Sequence, residues 1–386
     1  MSEFAVGILL FAIFLAFAAV MYTGRLPALI ALPLMASALY LTGGLFYHQV
    51  NLSFPGSNIF VLLREFVRVV IEEGMLFIWK YVVTVMLGAV LAELLKDSGV
   101  SRAIIRWASE LGGDNKTAKC LLLAGVTALL FVSLGGLGAV IMVAGIVLPV
   151  MMSVGVSAPA AGAVFLLGMS LGGAFNPMNW NLFITVLQKT GMSAQEAQAQ
   201  LLAFVYPFAG VFAAVIVLFI VLNTRKGPSS FWAEPGWADG MAEGGERPPG
   251  AAALLSPVIP IALILGFNIA SRVRGGEGYS FPINTALLIG VLYCLFTTGR
   301  GPNGYAQRLA KAVIEGFSAI APVAGLIIGI GMVVHVVWDP VVGAYMEPLL
   351  ERVMPRSAPA YVAVFAVMAP LALYRGPLNV WGMGIA

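Results

Sequence analysis

Charge is scarce in this chain of 386 residues: Lys, Arg, Asp and Glu make up 10% of it, against roughly 25% in a soluble domain. With 60% hydrophobic residues, that shortage excludes a water-soluble globule and identifies a polytopic membrane protein. Two histidines are too few for an imidazole-built metal site. The two cysteines, Cys120 and Cys294, sit in apolar segments and read as packing residues, with neither the spacing nor the setting of a disulfide framework. The net charge of +3 reflects cytoplasmic loops, and no basic cluster with interleaved aromatics points to nucleic acid. A G-x-x-x-x-G-K-[ST] phosphate loop is missing, so an ATP-driven pump would need one on a partner chain. No nucleophile–His–Asp set falls at membrane depth, which argues against an enzyme, and nothing calls for a cofactor.

The longest absence is local. From Cys120 to Gln188 the chain runs 69 residues without one charged side chain, yet it holds ten glycines and two polar interruptions. The first is Ser133-Leu134-Gly135-Gly136-Leu137-Gly138; the second is Asn176-Pro177-Met178-Asn179-Trp180-Asn181. Backbone outside a helix is tolerated at membrane depth only where protein buries it or where it lines a wet cavity. Paired broken helices are the usual mark of a transporter's substrate and ion site.

A span needs about 20 apolar residues. Candidates are 4–22, 26–46, 75–95, 203–222, 253–270, 282–298 and 316–338. The apolar segments 118–132, 139–153, 158–175 and 358–374 abut interruptions and read as hairpins, half-helices or broken spans. Phe4 to Tyr22 lacks a signal peptide's basic flank and cleavage site, so it reads as a retained first span. Residues 58–73, 101–110 and 341–352 are amphipathic, as interfacial helices or as helix ends with a solvated face. Residues 223–252 form a hydrophilic connector. Lys96, Arg102, Arg106, Lys116 and Lys119 place 96–119 in the cytoplasm and the N-terminus outside.

The order of elements repeats. Val70-Ile71-Glu72-Glu73-Gly74 opens a long apolar helix ending at Asp97; Val313-Ile314-Glu315-Gly316 opens another ending at Asp339, in a register near 242 residues. Both continue into a short amphipathic helix, an apolar segment and a break, at Ser133-Leu134-Gly135-Gly136 and at Arg375-Gly376-Pro377-Leu378-Asn379. The predicted organisation is a first membrane repeat over 1–222, the linker 223–252, and a second repeat over 253–386 with no counterpart of 139–222. A longer native chain or a shortened second repeat is expected. The predicted fold is all-α, with two inverted repeats, re-entrant hairpins and broken helices arranged as scaffold and transport domain.

Ser133, Gly135, Gly136 and Gly138 read as an anion-binding break: glycine lets backbone approach a ligand, and a half-helix N-terminus offers free N–H groups. Close packing through small residues is the alternative. Asn176, Asn179 and Asn181 put three amides within six residues, and Pro177 removes a backbone donor. Amide and freed carbonyl oxygens suit a sodium ion; a polar surface loop is the other reading. Arg375, with Gly376 and Asn379, lies in the second-half break, where a guanidinium would clamp a carboxylate or snorkel to the interface. His335 is a candidate for exchanging a coupling proton or a satisfied core residue. Asp97 and Asp339 read as N-caps of the helices that follow.

From Ala144 to Leu222 the chain resembles the large membrane subunit of TRAP transporters and, more broadly, the ion transporter superfamily that includes citrate, gluconate and C4-dicarboxylate carriers. The pattern is Gly145-x-x-x-Pro149, Gly155-Val156, Leu166-x-Gly168, Leu171-Gly172-Gly173-Ala174-Phe175-Asn176-Pro177, Asn181-Leu182-Phe183, Gly191-Met192-Ser193, Glu196 and Tyr206-Pro207-Phe208. The resemblance marks Asn176, Pro177, Asn179 and Asn181 as lying beside the substrate. Asn-Pro stands where the family often has a double proline. The resemblance implies a dimeric elevator-type carrier of organic-acid anions coupled to Na⁺ or H⁺.

The expectation is a secondary active carrier for a small organic carboxylate, homodimeric, multi-pass in a cell membrane, most simply a bacterial inner membrane. Rivals are a membrane subunit dependent on an extracellular binding protein, a cation/proton antiporter, a channel and a non-transporting scaffold. An antiporter needs a titrating carboxylate in the core, and none occurs between Lys119 and Lys189.

Overall fold

A computed structural model describes residues 3–50, 59–113, 115–134, 137–189, 191–224, 249–274, 281–298, 302–353, 355, 357, 359–360 and 363–364. Arg375, Gly376 and Asn379 lie outside the described residues, as do Gly135, Gly136 and linker residues 225–248. Among the described residues there are helices and no strands. Among the described residues five helical runs are long and apolar enough to cross a membrane, Phe4–Tyr22, Ala28–Tyr47, Ile59–Asp97, Ala194–Thr224 and Gly304–Trp338, and the bent pair Ala158–Ala174 and Asn179–Thr185 would make a sixth. The protein is therefore membrane-embedded and multi-pass.

Two expected spans come out short. The apolar run at 253–270 opens in turns around a single 3-10 turn, Ala253–Leu255, and leaves only a 15-residue helix, α12 (Ile259–Val273). Its partner α13 (Ile283–Thr298) has 16 residues. Conversely, the run at 316–338 lies inside the 37-residue α14 (Pro302–Trp338). Residues 223 and 224 of the expected linker continue α11 (Ala194–Thr224). That helix opens on a capping box, in which Ser193 N–H donates to Glu196 Oε2 at 2.9 Å and Glu196 N–H to Ser193 Oγ at 3.2 Å.

By packing, the chain divides into two compact units. The first comprises residues 1–82 and 321–386. Here α1 (Glu3–Tyr22) lies on α2 (Ala28–Val50) and on α15 (Pro340–Val353). Leu10, Met35, Leu39, Val70, Val336 and Val342 form the buried centre. The approach is close where glycine permits it: a Cβ on Gly7 would stand 2.4 Å from the Tyr345 carbonyl oxygen. After α3 (Ile59–Phe66) comes a π-helical segment, Val67–Glu73, and then α4 (Gly74–Leu76). Asp339 caps α15 as expected, accepting from Val341 N–H at 2.9 Å.

The second unit comprises residues 83–320. It holds most of α5 (Trp79–Asp97), then α6 (Val100–Gly112), α7 (Lys116–Phe131), α8 (Leu137–Ser153), α9 (Ala158–Ala174), α10 (Pro177–Lys189), α11, α12, α13 and the first half of α14. Its tightest pair is α7 against α9. A Cβ on Gly168 would stand 2.7 Å from Ala124 O, and one on Gly172 2.2 Å from Ala128 O. Two glycines four residues apart thus meet two alanines four residues apart, the small-residue packing that substitutes for hydrophobic drive inside lipid.

Asp97 departs from expectation. Gly99, at φ 72°, precedes α6, and that left-handed turn leaves Asp97 as the last residue of α5 with no cap to make. Its carboxylate instead takes Lys311 Nζ at 2.9 Å and Arg308 Nε at 3.4 Å, both from α14. Among the close glycine contacts, one in each unit falls at matching positions. In the first, a Cβ on Gly74 would lie 3.3 Å from Met332 Cα; in the second, a Cβ on Gly316 would lie 3.1 Å from Val90 N. The register near 242 residues carries Gly74 onto Gly316 and Val90 onto Met332.

Candidate functional site

Both expected interruptions exist within the second unit, and one side chain joins them. The first follows α7: Val132, Ser133 and Leu134 close the helix, and α8 starts at Leu137 with Gly138 in its first turn. The second is narrower than its polar sequence suggests. Only Phe175 and Asn176 leave the helix, and α9 and α10 meet there at a bend of 55°. Pro177 starts α10, because a proline in the first helical position loses no hydrogen bond and arrives with its φ preset. Asn179, Trp180 and Asn181 are consequently helical.

Asn176 is buried, 3% exposed, and its Nδ2 donates to Phe131 O and Leu134 O, each at 2.9 Å. The carbonyls that a helix C-terminus leaves unpaired are thereby satisfied by an amide from the other break. The first turn of α10 does the same for α9. Asn179 Nδ2 donates to Gly173 O at 2.8 Å, and Trp180 Nε1 to Ala174 O at 2.7 Å. Carbonyls that the sequence offered to a cation are thus occupied by N–H donors, and Gly173 O takes two, the second from Asn176 N–H at 3.2 Å. α8 begins three residues after Leu134, so its N-terminus lies within about 11 Å of that residue. Two helix N-termini, the kind of end that favours an anion, start near one clasp.

The remaining residues are held from outside the breaks. Ser133 is fully buried, and its hydroxyl donates to Pro257 O in the turn before α12. Asn181 Nδ2 donates to Thr84 Oγ at 2.5 Å, and Thr84 Oγ donates to Asn284 Oδ1 at 2.6 Å. Thr185 Oγ donates to Asn181 O at 2.7 Å. α5, α10 and α13 therefore share one half-buried polar link. Thr84, Asn284, Trp180 and Pro257 were not singled out by sequence reasoning. The available signal was a lone polar residue in an apolar run, as at Thr84 and Asn284. His335 sits in the other unit, its Nε2 3.4 Å from Glu73 Oε2.

The chain matches no protein-family model, no curated protein and no solved structure.

Proposed function

We propose that the chain is a secondary active carrier for a small organic carboxylate, working by an elevator-type motion and coupled to Na⁺ or H⁺. The observation that carries this reading is the Asn176 clasp: two interrupted helices at the centre of a charge-free membrane segment, tied by one buried amide. Irregular backbone of this kind marks a site in transporters. The backbone around Ser133 and Gly138 would meet the anion at the start of α8, and Arg375 would supply its counter-charge. The Asn176–Asn181 segment would complete the site. The reciprocal contacts of Gly74 with Met332 and Gly316 with Val90 support an internal repeat, since two-fold related halves pack in matching pairs. The resemblance to the ion transporter superfamily supports the substrate class, a homodimer, residence in a bacterial inner membrane and, for the TRAP branch, an extracellular binding protein as partner.

The test is thermal unfolding of the purified protein with succinate, malate, citrate, gluconate or sialate, each with and without sodium. A ligand that binds only the folded state stabilises it by about 2.7 kcal/mol at a hundredfold excess over Kd, and the midpoint rises accordingly. The expected result is a rise with one acid, lost in Arg375→Ala. A folded protein that responds to none of the acids, alone or with the binding protein, would remove the carrier reading.

A further inference from the structure

The run from Ile59 to Leu76 is α-helical at both ends and π-helical over Val67–Glu73. Single π turns inside helices collect at functional sites. This one carries Arg68, Glu72 and Glu73. Arg68 is bonded on two sides: Nε to Glu65 Oε2 at 2.8 Å and Nη1 to Glu73 Oε1 at 2.9 Å. The other oxygen of Glu73 faces His335 Nε2 at 3.4 Å. That nitrogen is enclosed and makes no hydrogen bond among the described residues. The Phe77 ring closes the imidazole from another side, its centroid 5.0 Å away.

Glycines make the approach possible. Gly74 follows Glu73, and Gly331 lies one turn before His335; a Cβ on Gly331 would stand 3.3 Å from Gly74 O. Larger residues there would part the helices and draw Glu73 from the imidazole. Among the described residues, the charged and titratable groups that act on the pair belong to the same unit. The π segment brings Glu73 and Arg68, α3 brings Glu65, α2 brings Tyr40, and the start of α15 brings Asp339. α14 adds no charge of its own between Glu315 and Asp339. Three carboxylates therefore surround one guanidinium, and a proton on His335 brings the cluster closer to balance. The Glu73 side chain is 46% exposed and that of His335 21%, so the carboxylate is the open end and the imidazole the covered one.

We propose that Glu73 and His335 form a proton-binding pair in which Arg68 competes with the imidazolium for the same carboxylate. A proton placed on Nε2 joins the pair in a charge-assisted hydrogen bond. Imidazole is the side chain that changes charge between about pH 5 and 8. As the seat of a coupling proton the pair rests on the carrier reading; as a proton site it stands alone.

The test is an NMR titration of the protein labelled in its histidine rings, in detergent. The chain has two histidines, so His48→Gln leaves the signal of His335 alone. The expected result is a ring signal that changes with pH and whose midpoint is displaced in opposite directions by Glu73→Gln and Arg68→Gln. Shifts of opposite sign cannot arise from a general loosening of the fold. A signal that never titrates, or one whose midpoint ignores both substitutions, overturns the pair. If the titration behaves as expected in a protein that binds no carboxylate, the proton site stands and the carrier reading falls.

Discussion

At the scale of single residues, Asn176 does work that its type alone does not announce. Its amide fills two carbonyl oxygens buried between helix ends, so removing it leaves both Phe131 O and Leu134 O without that donor. A buried polar group stripped of its partner costs about 1–3 kcal/mol in water-soluble proteins, and hydrogen bonds between membrane helices average nearer 0.6 kcal/mol. Asn176→Ala is expected to destabilise the protein by about 1–3 kcal/mol. Asn179→Ala should cost less, because Gly173 O also accepts from Asn176 N–H at 3.2 Å and stays paired. Thermal unfolding of the two variants side by side checks the order. Sequence reasoning reached Asn176, Asn179 and Asn181 because amides are conspicuous among apolar neighbours. It assigned their chemistry less well: a run of letters shows that oxygens are present, and only the fold shows that Nδ2 is the end that points inward. Glu73 and His335 are a sharper case, since 262 positions separate them and no local pattern pairs them.

At the scale of elements, most of the long spans and the two interruptions of the charge-free stretch were legible because both follow from local composition: long apolar runs make helices, and clustered Gly, Pro and Asn end them. The width of the second break was not, because proline was read as a barrier where it serves as a starting residue. The π segment was also invisible, since its sequence is ordinary and its geometry comes from packing. The α7–α9 pair shows what the glycines of the charge-free stretch are for. Gly172 faces Ala128 O at 2.2 Å from its would-be Cβ, whereas Gly173 has nothing nearer than Asn179 Nδ2 at 3.6 Å. Gly172→Ala is expected to force the helices apart at a cost of about 1–3 kcal/mol. Gly173→Ala should be neutral or stabilising, because alanine favours helix over glycine by about 1 kcal/mol. Unfolding in increasing denaturing detergent distinguishes the two neighbours.

At the scale of the whole molecule, the two helices that fell short of a full span carry a consequence for the surrounding lipid. At 1.5 Å per residue, α12 and α13 are about 22 and 24 Å long, while a bilayer's hydrocarbon interior is about 30 Å thick. α14, by contrast, is about 55 Å long and exceeds it. Were all three helices to cross, one chain would ask for two membrane thicknesses at once. A helix shorter than the hydrocarbon layer draws the leaflets together, at a fraction of a kcal/mol per Å. Where α12 and α13 cross the layer, the lipid annulus beside them would be pinched, and acyl-chain length would become a control on stability. The unfolding midpoint is expected to be higher in nanodiscs of short-chain phosphatidylcholine than in long-chain ones, and lengthening α12 by a turn of leucines should narrow that difference. With two such short spans the protein would carry its own local membrane with it, thinner than the one it is dissolved in.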